Sequence, residues 1–61
     1  MDYYDIKRLA LILATQSTIE GMKAENLMRV QHGDSLAYTE GAFEVRTVEL
    51  EHLAYKHNDE L

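Results

Sequence analysis

Val30-Gln31-His32-Gly33-Asp34-Ser35-Leu36 is the stretch whose reading decides the fold. Gly33-Asp34-Ser35 is the clearest turn signal in the chain. Glycine reaches the left-handed backbone region without steric cost, and Asp and Ser bond back to neighbouring backbone. His32-Gly33 therefore reads as a helix stop, and Asp34 or Ser35 as the cap of a helix that follows. Two helices joined by a turn result, the first over residues 3 to 31 and the second over residues 36 to 57.

Upstream of the turn, Ile6, Leu9, Leu13, Ile19, Leu27 and Val30 recur at helical spacing on one broad side, with Ala10, Ile12, Ala24 and Met28 at its edges. Asp2 and Asp5 stand at the start, where acids complement the helix dipole. The middle carries weaker helix formers: Ser17, Thr18 and Gly21. Ser17-Thr18-Ile19-Glu20 also fits the capping-box pattern. Continuity of the apolar pattern favours one helix, with room for a bend, over a helix broken near residue 16 into two. Glu20 with Lys23 and Glu25 with Arg29 are spaced to meet across a turn as solvated ion pairs.

Downstream, Leu36, Phe43 and Leu50 repeat every seven residues, with Thr47 and Ala54 on the same seam. Tyr38, Val45, Val48, His52 and Tyr55 gather on roughly the opposite side. A β-hairpin over residues 36–50 competes, because Leu36-Ala37-Tyr38-Thr39 and Phe43-Glu44-Val45-Arg46-Thr47-Val48 are β-prone and flank Glu40-Gly41. Against it, the chain runs on from Val48 to Lys56 in a helical pattern with no boundary, and a lone two-stranded hairpin is marginal.

The expected architecture is all-α: a two-helix hairpin forming one helical domain over residues 1–61. A chain of 61 residues buries only roughly 60% of the surface its unfolded form exposes. A core of that size seldom supplies more than ~3–5 kcal/mol without a staple. Cysteine is absent, which excludes disulfides and thiolate metal sites and fits a reducing compartment. Proline is absent too, which suits unbroken helices. One hairpin covers one face of the second helix and leaves the other in water. A homodimer with a four-helix arrangement is therefore expected, with Leu36, Phe43, Val45, Leu50 and Tyr55 as interface residues. The competing monomeric reading has the second face covered by a bend of the first helix.

Eleven acids oppose six bases, for a formal charge of −5. The six bases are scattered among acids, so direct nucleic-acid binding, which needs phosphate neutralisation, is not expected. The longest apolar run, Leu9 to Ala14, is far too short to span a bilayer, so no membrane role is expected. The opening Met1-Asp2-Tyr3-Tyr4-Asp5 is unlike the basic start of a secretory signal. Asn58-Asp59-Glu60-Leu61 is similar to a K-D-E-L-type retention signal, which has no use without such a leader. No nucleophile elbow or phosphate-binding glycine loop is present, and His32-Gly33-Asp34 reads as a turn, so no enzymatic activity and no cofactor are expected.

One metal pattern is legible. Glu49 and His52 have the Glu-x-x-His spacing that puts both on one helical face, and Val48-Glu49-Leu50-Glu51-His52-Leu53-Ala54 resembles the second metal-binding helix of small ferritin-like proteins. A homodimer would supply two copies, with Glu20 as the further ligand, giving a di-metal (iron) oxidase as the alternative function. The ordinary reading is that Glu49 is solvated and His52 edges an interface. His52 and His57 are splayed on a helix, and Met22 and Met28 read as apolar fill.

The chain as a whole, from Tyr3-Tyr4-Asp5-Ile6-Lys7-Arg8-Leu9 to Glu49-Leu50-Glu51-His52-Leu53, resembles small acidic helical accessory proteins of temperate, lambda-like phages and prophages. Such proteins come from early, non-essential phage regions and alter host processes by binding host factors. The resemblance lies in size and general character and transfers no functional residue. It implies a regulatory, non-enzymatic role in a bacterial cytoplasm, with a host protein as partner.

Overall fold

The structure, a computed structural model, describes residues 2–61. Helix α1 spans Tyr3–Gln31, helix α2 spans Glu40–Tyr55, and a single 3₁₀ turn follows at Asn58–Glu60. There is no strand among the described residues, so the segment that reads as a possible β-hairpin is connector and helix. The two helices run antiparallel as a narrow rod with Cα extents of 47 × 19 × 11 Å.

α1 begins where Asp2, in extended conformation, accepts a hydrogen bond from the Asp5 amide at 2.9 Å. That is an N-cap satisfying one of the helix's unpaired donors. It ends at the residues expected. Gly33 has φ 75°, its amide donates to the Val30 carbonyl at 3.1 Å, and the Asp34 amide donates to the Arg29 carbonyl at 2.8 Å. This pair of bonds is a Schellman motif, and only glycine enters its left-handed position freely.

The middle of α1 is continuous. The hydroxyls of Thr15 and Thr18 donate to the Leu11 and Ala14 carbonyls at 3.1 and 3.2 Å, so they are satisfied inside the helix. Glu20, the distal half of the apparent capping box, accepts instead from Gln16 at 3.0 Å and Lys23 at 3.2 Å. No break near residue 16 is needed or present.

The second helix starts later than residue 36. Leu36, Ala37 and Tyr38 lie in the connector, and Thr39 is the N-cap, its carbonyl accepting from the Ala42 and Phe43 amides. A long-range bond pair accounts for the delay. The Asn26 side chain donates to the Tyr38 carbonyl at 2.8 Å and accepts from the Tyr38 amide at 3.0 Å. The Tyr38 peptide is thereby held against α1, and its backbone groups cannot join a helix. α2 ends at Tyr55, where Lys56 turns extended.

The side of α1 facing α2 differs from the one the apolar pattern suggests. Burial follows Arg8, Ile12, Thr15, Ile19, Met22, Asn26 and Arg29, at alternating spacings of four and three. Of these, only Ile19 and Met22 are buried, at 8% and 6% exposure. Ile6, Leu9, Leu13, Leu27 and Val30 are all exposed. Polar residues at the ends of the inner line disguise it, because Arg8 and Asn26 are there to clamp rather than to pack.

Candidate functional site

α2 is two-faced, as its sequence indicates. Phe43, Arg46, Leu50 and Leu53 are half-buried on the side toward α1, while Val48, His52 and Tyr55 are exposed on the far side and Val45, also exposed, rims an open depression shared with Thr18 and Met22 of α1. Tyr55 is the extreme, at 87% exposure. The five expected interface residues thus fall into three groups. Phe43 and Leu50 belong to the helix–helix seam within the chain, Tyr55 to the outward face with Val45 at its edge, and Leu36 is exposed in the connector. The seam itself steps through positions 43, 46, 50 and 53; Thr47 and Ala54, expected on it, are exposed.

α1 presents a second outward face, roughly opposite its inner line. Ile6, Leu9, Leu13, Leu27 and Met28 are exposed large apolar residues there, interspersed with exposed Ala10, Ala14, Gly21 and Ala24. Leu13 and Leu27 are 58% and 60% exposed. An outward face this rich in apolar side chains is the usual mark of a surface that meets another molecule.

Two polar clamps hold the hairpin at its ends. At one end is the Asn26–Tyr38 pair. At the other, the Arg8 guanidinium donates to the Leu53 carbonyl and, at 2.9 Å, to Asn58 Oδ1. Arg8 therefore satisfies a terminal carbonyl of α2 and ties down the 3₁₀ turn. The Asn58-Asp59-Glu60-Leu61 ending is thus tied to α1 through Asn58, with Leu61 half-buried and the other three residues exposed. Sequence reasoning missed both clamps. The available signal was their position: Arg8 and Asn26 lie on the same heptad-spaced line as Ile12, Ile19 and Met22.

The three residues of the metal pattern do not meet within one chain. Glu20 is on the outward side of α1 with its carboxylate bonded to Gln16 and Lys23. Glu49 takes two bonds from Arg46, at 2.7 and 2.9 Å. His52 borders an open depression of ≈ 380 Å³ with Glu51, Tyr55, Lys56 and Glu60. Among the described residues no three His, Cys, Asp or Glu side chains cluster as metal ligands. The ion pairs Glu20–Lys23 and Glu25–Arg29 form as their spacing suggests, joined by Arg46–Glu49. All three are substantially exposed, and such pairs contribute little to stability.

Among the described residues no helix is long and apolar enough to cross a membrane. What the geometry offers is a pair of outward apolar faces on a thin two-helix scaffold. No family model, curated protein or solved structure matches the chain.

Proposed function

We propose that this chain is a small protein–protein interaction module with a regulatory, non-enzymatic role. Two copies of the hairpin associate in a four-helix arrangement, and the assembly acts by binding a protein of a bacterial host cytoplasm. The observation that carries this reading is the mismatch between inside and outside. Among the described residues only Ile19 and Met22 are buried, whereas Ile6, Leu9, Leu13, Leu27, Val45, Val48 and Tyr55 are exposed. Fully burying two aliphatic side chains contributes roughly 3–6 kcal/mol, little against the cost of ordering a whole chain. Covering the outward faces with protein adds burial and supplies the missing stability in one step. The phage-accessory setting and the host partner come from the resemblance in size, charge and helical character.

The outward face of α2, centred on Val48 and Tyr55 with Val45 at its edge, is the part assigned to the host partner. Its rim carries Glu44, Glu51 and His52, which favours a partner surface that is apolar at its centre and basic at its edge. The test is affinity capture from bacterial lysate with the wild-type chain and with a Val48→Glu, Tyr55→Glu variant. Both substituted positions are exposed, so helix content by circular dichroism is expected to be unchanged. The expected result is a defined protein retained by the wild type and released by the variant. Identical retention by both would count against this surface.

The ferritin-like di-metal oxidase has no comparable support. Its acidic ligands, Glu20 and Glu49, are each engaged by a neighbouring side chain of their own helix.

A further inference from the structure

The outward face of α1 is self-complementary when read against itself in reverse. Its exposed residues Ala10, Leu13, Ser17, Glu20, Ala24 and Leu27 alternate at spacings of three and four, the repeat of a coiled-coil seam. Large and small residues are distributed along this seam unevenly, and the unevenness has a two-fold pattern. In an antiparallel pair centred between Ser17 and Glu20, Leu13 meets Ala24 of the second copy and Leu27 meets Ala10. At the centre, the Ser17 hydroxyl meets the Glu20 carboxylate. On the flanks, Leu9 meets Val30 and Ala14 meets Gly21. Each large side chain has a small or apolar counterpart, and none of the outward leucines is left in water.

Surface area argues for the same occupant. The chain exposes 4691 Å², whereas a folded monomer of 7.0 kDa is expected to expose about 4,000 Å². The excess, roughly 700 Å², is close to the ~800 Å² that each partner buries in a standard stable interface. Nothing approaches Gly21 within 4 Å of where a Cβ would stand, so the backbone there is open to close approach by another helix.

We infer that a second copy of this chain docks on the outward face of α1, antiparallel, with the two-fold axis between Ser17 and Glu20. The pairing rests on the interaction reading proposed above and specifies its first partner. Because the inner and outer lines of α1 lie on opposite sides of the helix, the four helices line up in a row, in the order α2, α1, α1, α2. Both outward faces of α2 then remain free for a further protein. The polar Ser17–Glu20 layer fixes register and direction, as a single polar layer does in other helix pairs.

The test uses four substitutions at exposed positions, with helix content followed by circular dichroism. Leu13→Glu places two charges in the seam and is expected to raise the dimer dissociation constant at least ~10-fold. Adding Ala24→Lys to the same chain creates Glu–Lys contacts only in the antiparallel register, and is expected to recover most of that loss. A spin label at Gln31→Cys, in a chain without other cysteines, should lie roughly 35–40 Å from its counterpart in the antiparallel pair. A label at Gln16→Cys should lie within about 15 Å. The inference is overturned by a dimer indifferent to Leu13→Glu, by no recovery in the double variant, or by Gln31 labels about 10–15 Å apart. A dimer lost only with Val48→Glu, or a chain that stays monomeric, overturns it as well; the lysate comparison at Val48 and Tyr55 then still decides the interaction reading separately.

Discussion

Asn26 is the residue on which the shape of the hairpin most depends. Its side-chain amide forms the same two hydrogen bonds with the Tyr38 peptide that a neighbouring strand would. This closes the eight-residue connector onto α1 and sets where α2 begins. Net hydrogen bonds of this kind are worth about 0.5–1.5 kcal/mol each. Asn26→Ala is therefore expected to lower unfolding stability by ~1–2 kcal/mol in denaturant titration, with carbon chemical shifts of Leu36, Ala37 and Tyr38 losing their ordered values. A change below about 0.3 kcal/mol would mean the clamp does not form. Arg8 plays the matching part at the other end, where it binds the Leu53 carbonyl and Asn58. The sequence marks Arg8 and Asn26 only by their place on the inner line of α1; their partners could not be read, since each contact joins residues far apart in the chain.

At the scale of helices, the local signals were legible and the facing of α1 was not. The span Tyr3–Gln31, the stop at Gly33 and the two-faced character of α2 follow from capping chemistry, a glycine that can turn left-handed, and apolar periodicity. The start of α2 escaped because Asp34 and Ser35 look like caps locally, while Asn26 holds Tyr38 away from helix formation. The inner side of α1 escaped for a different reason. Its line includes Arg8, Thr15, Asn26 and Arg29, so hydropathy alone selects the other, greasier line through Leu9, Leu13 and Leu27. That the greasier line faces out is what points to a second molecule. For α2 the assignment of sides makes a contrast that can be measured. Phe43→Ala, on the half-buried side, should cost about 2 kcal/mol or more. Val48→Ala, on the outward side, should change the stability of the isolated chain by less than about 0.5 kcal/mol. Comparable losses at both positions would show that α2 is rotated from the orientation described.

At the scale of the molecule, a rod two helices wide cannot enclose much, whatever its sequence. Its 47 × 19 × 11 Å extents place nearly every side chain within reach of water, and the acidic net charge of −5 keeps such a chain in solution while its apolar faces stay available. On the proposed reading, pairing along α1 and binding along α2 divide the two faces between two partners. Assembly by mass action also implies that stability rises with protein concentration. Sedimentation equilibrium over a wide concentration range tests the central claim most directly. The account predicts a reversible shift from the 7.0 kDa chain to a species of twice that mass. A compact, stably folded single-copy species at every concentration, up to the millimolar range, would contradict it.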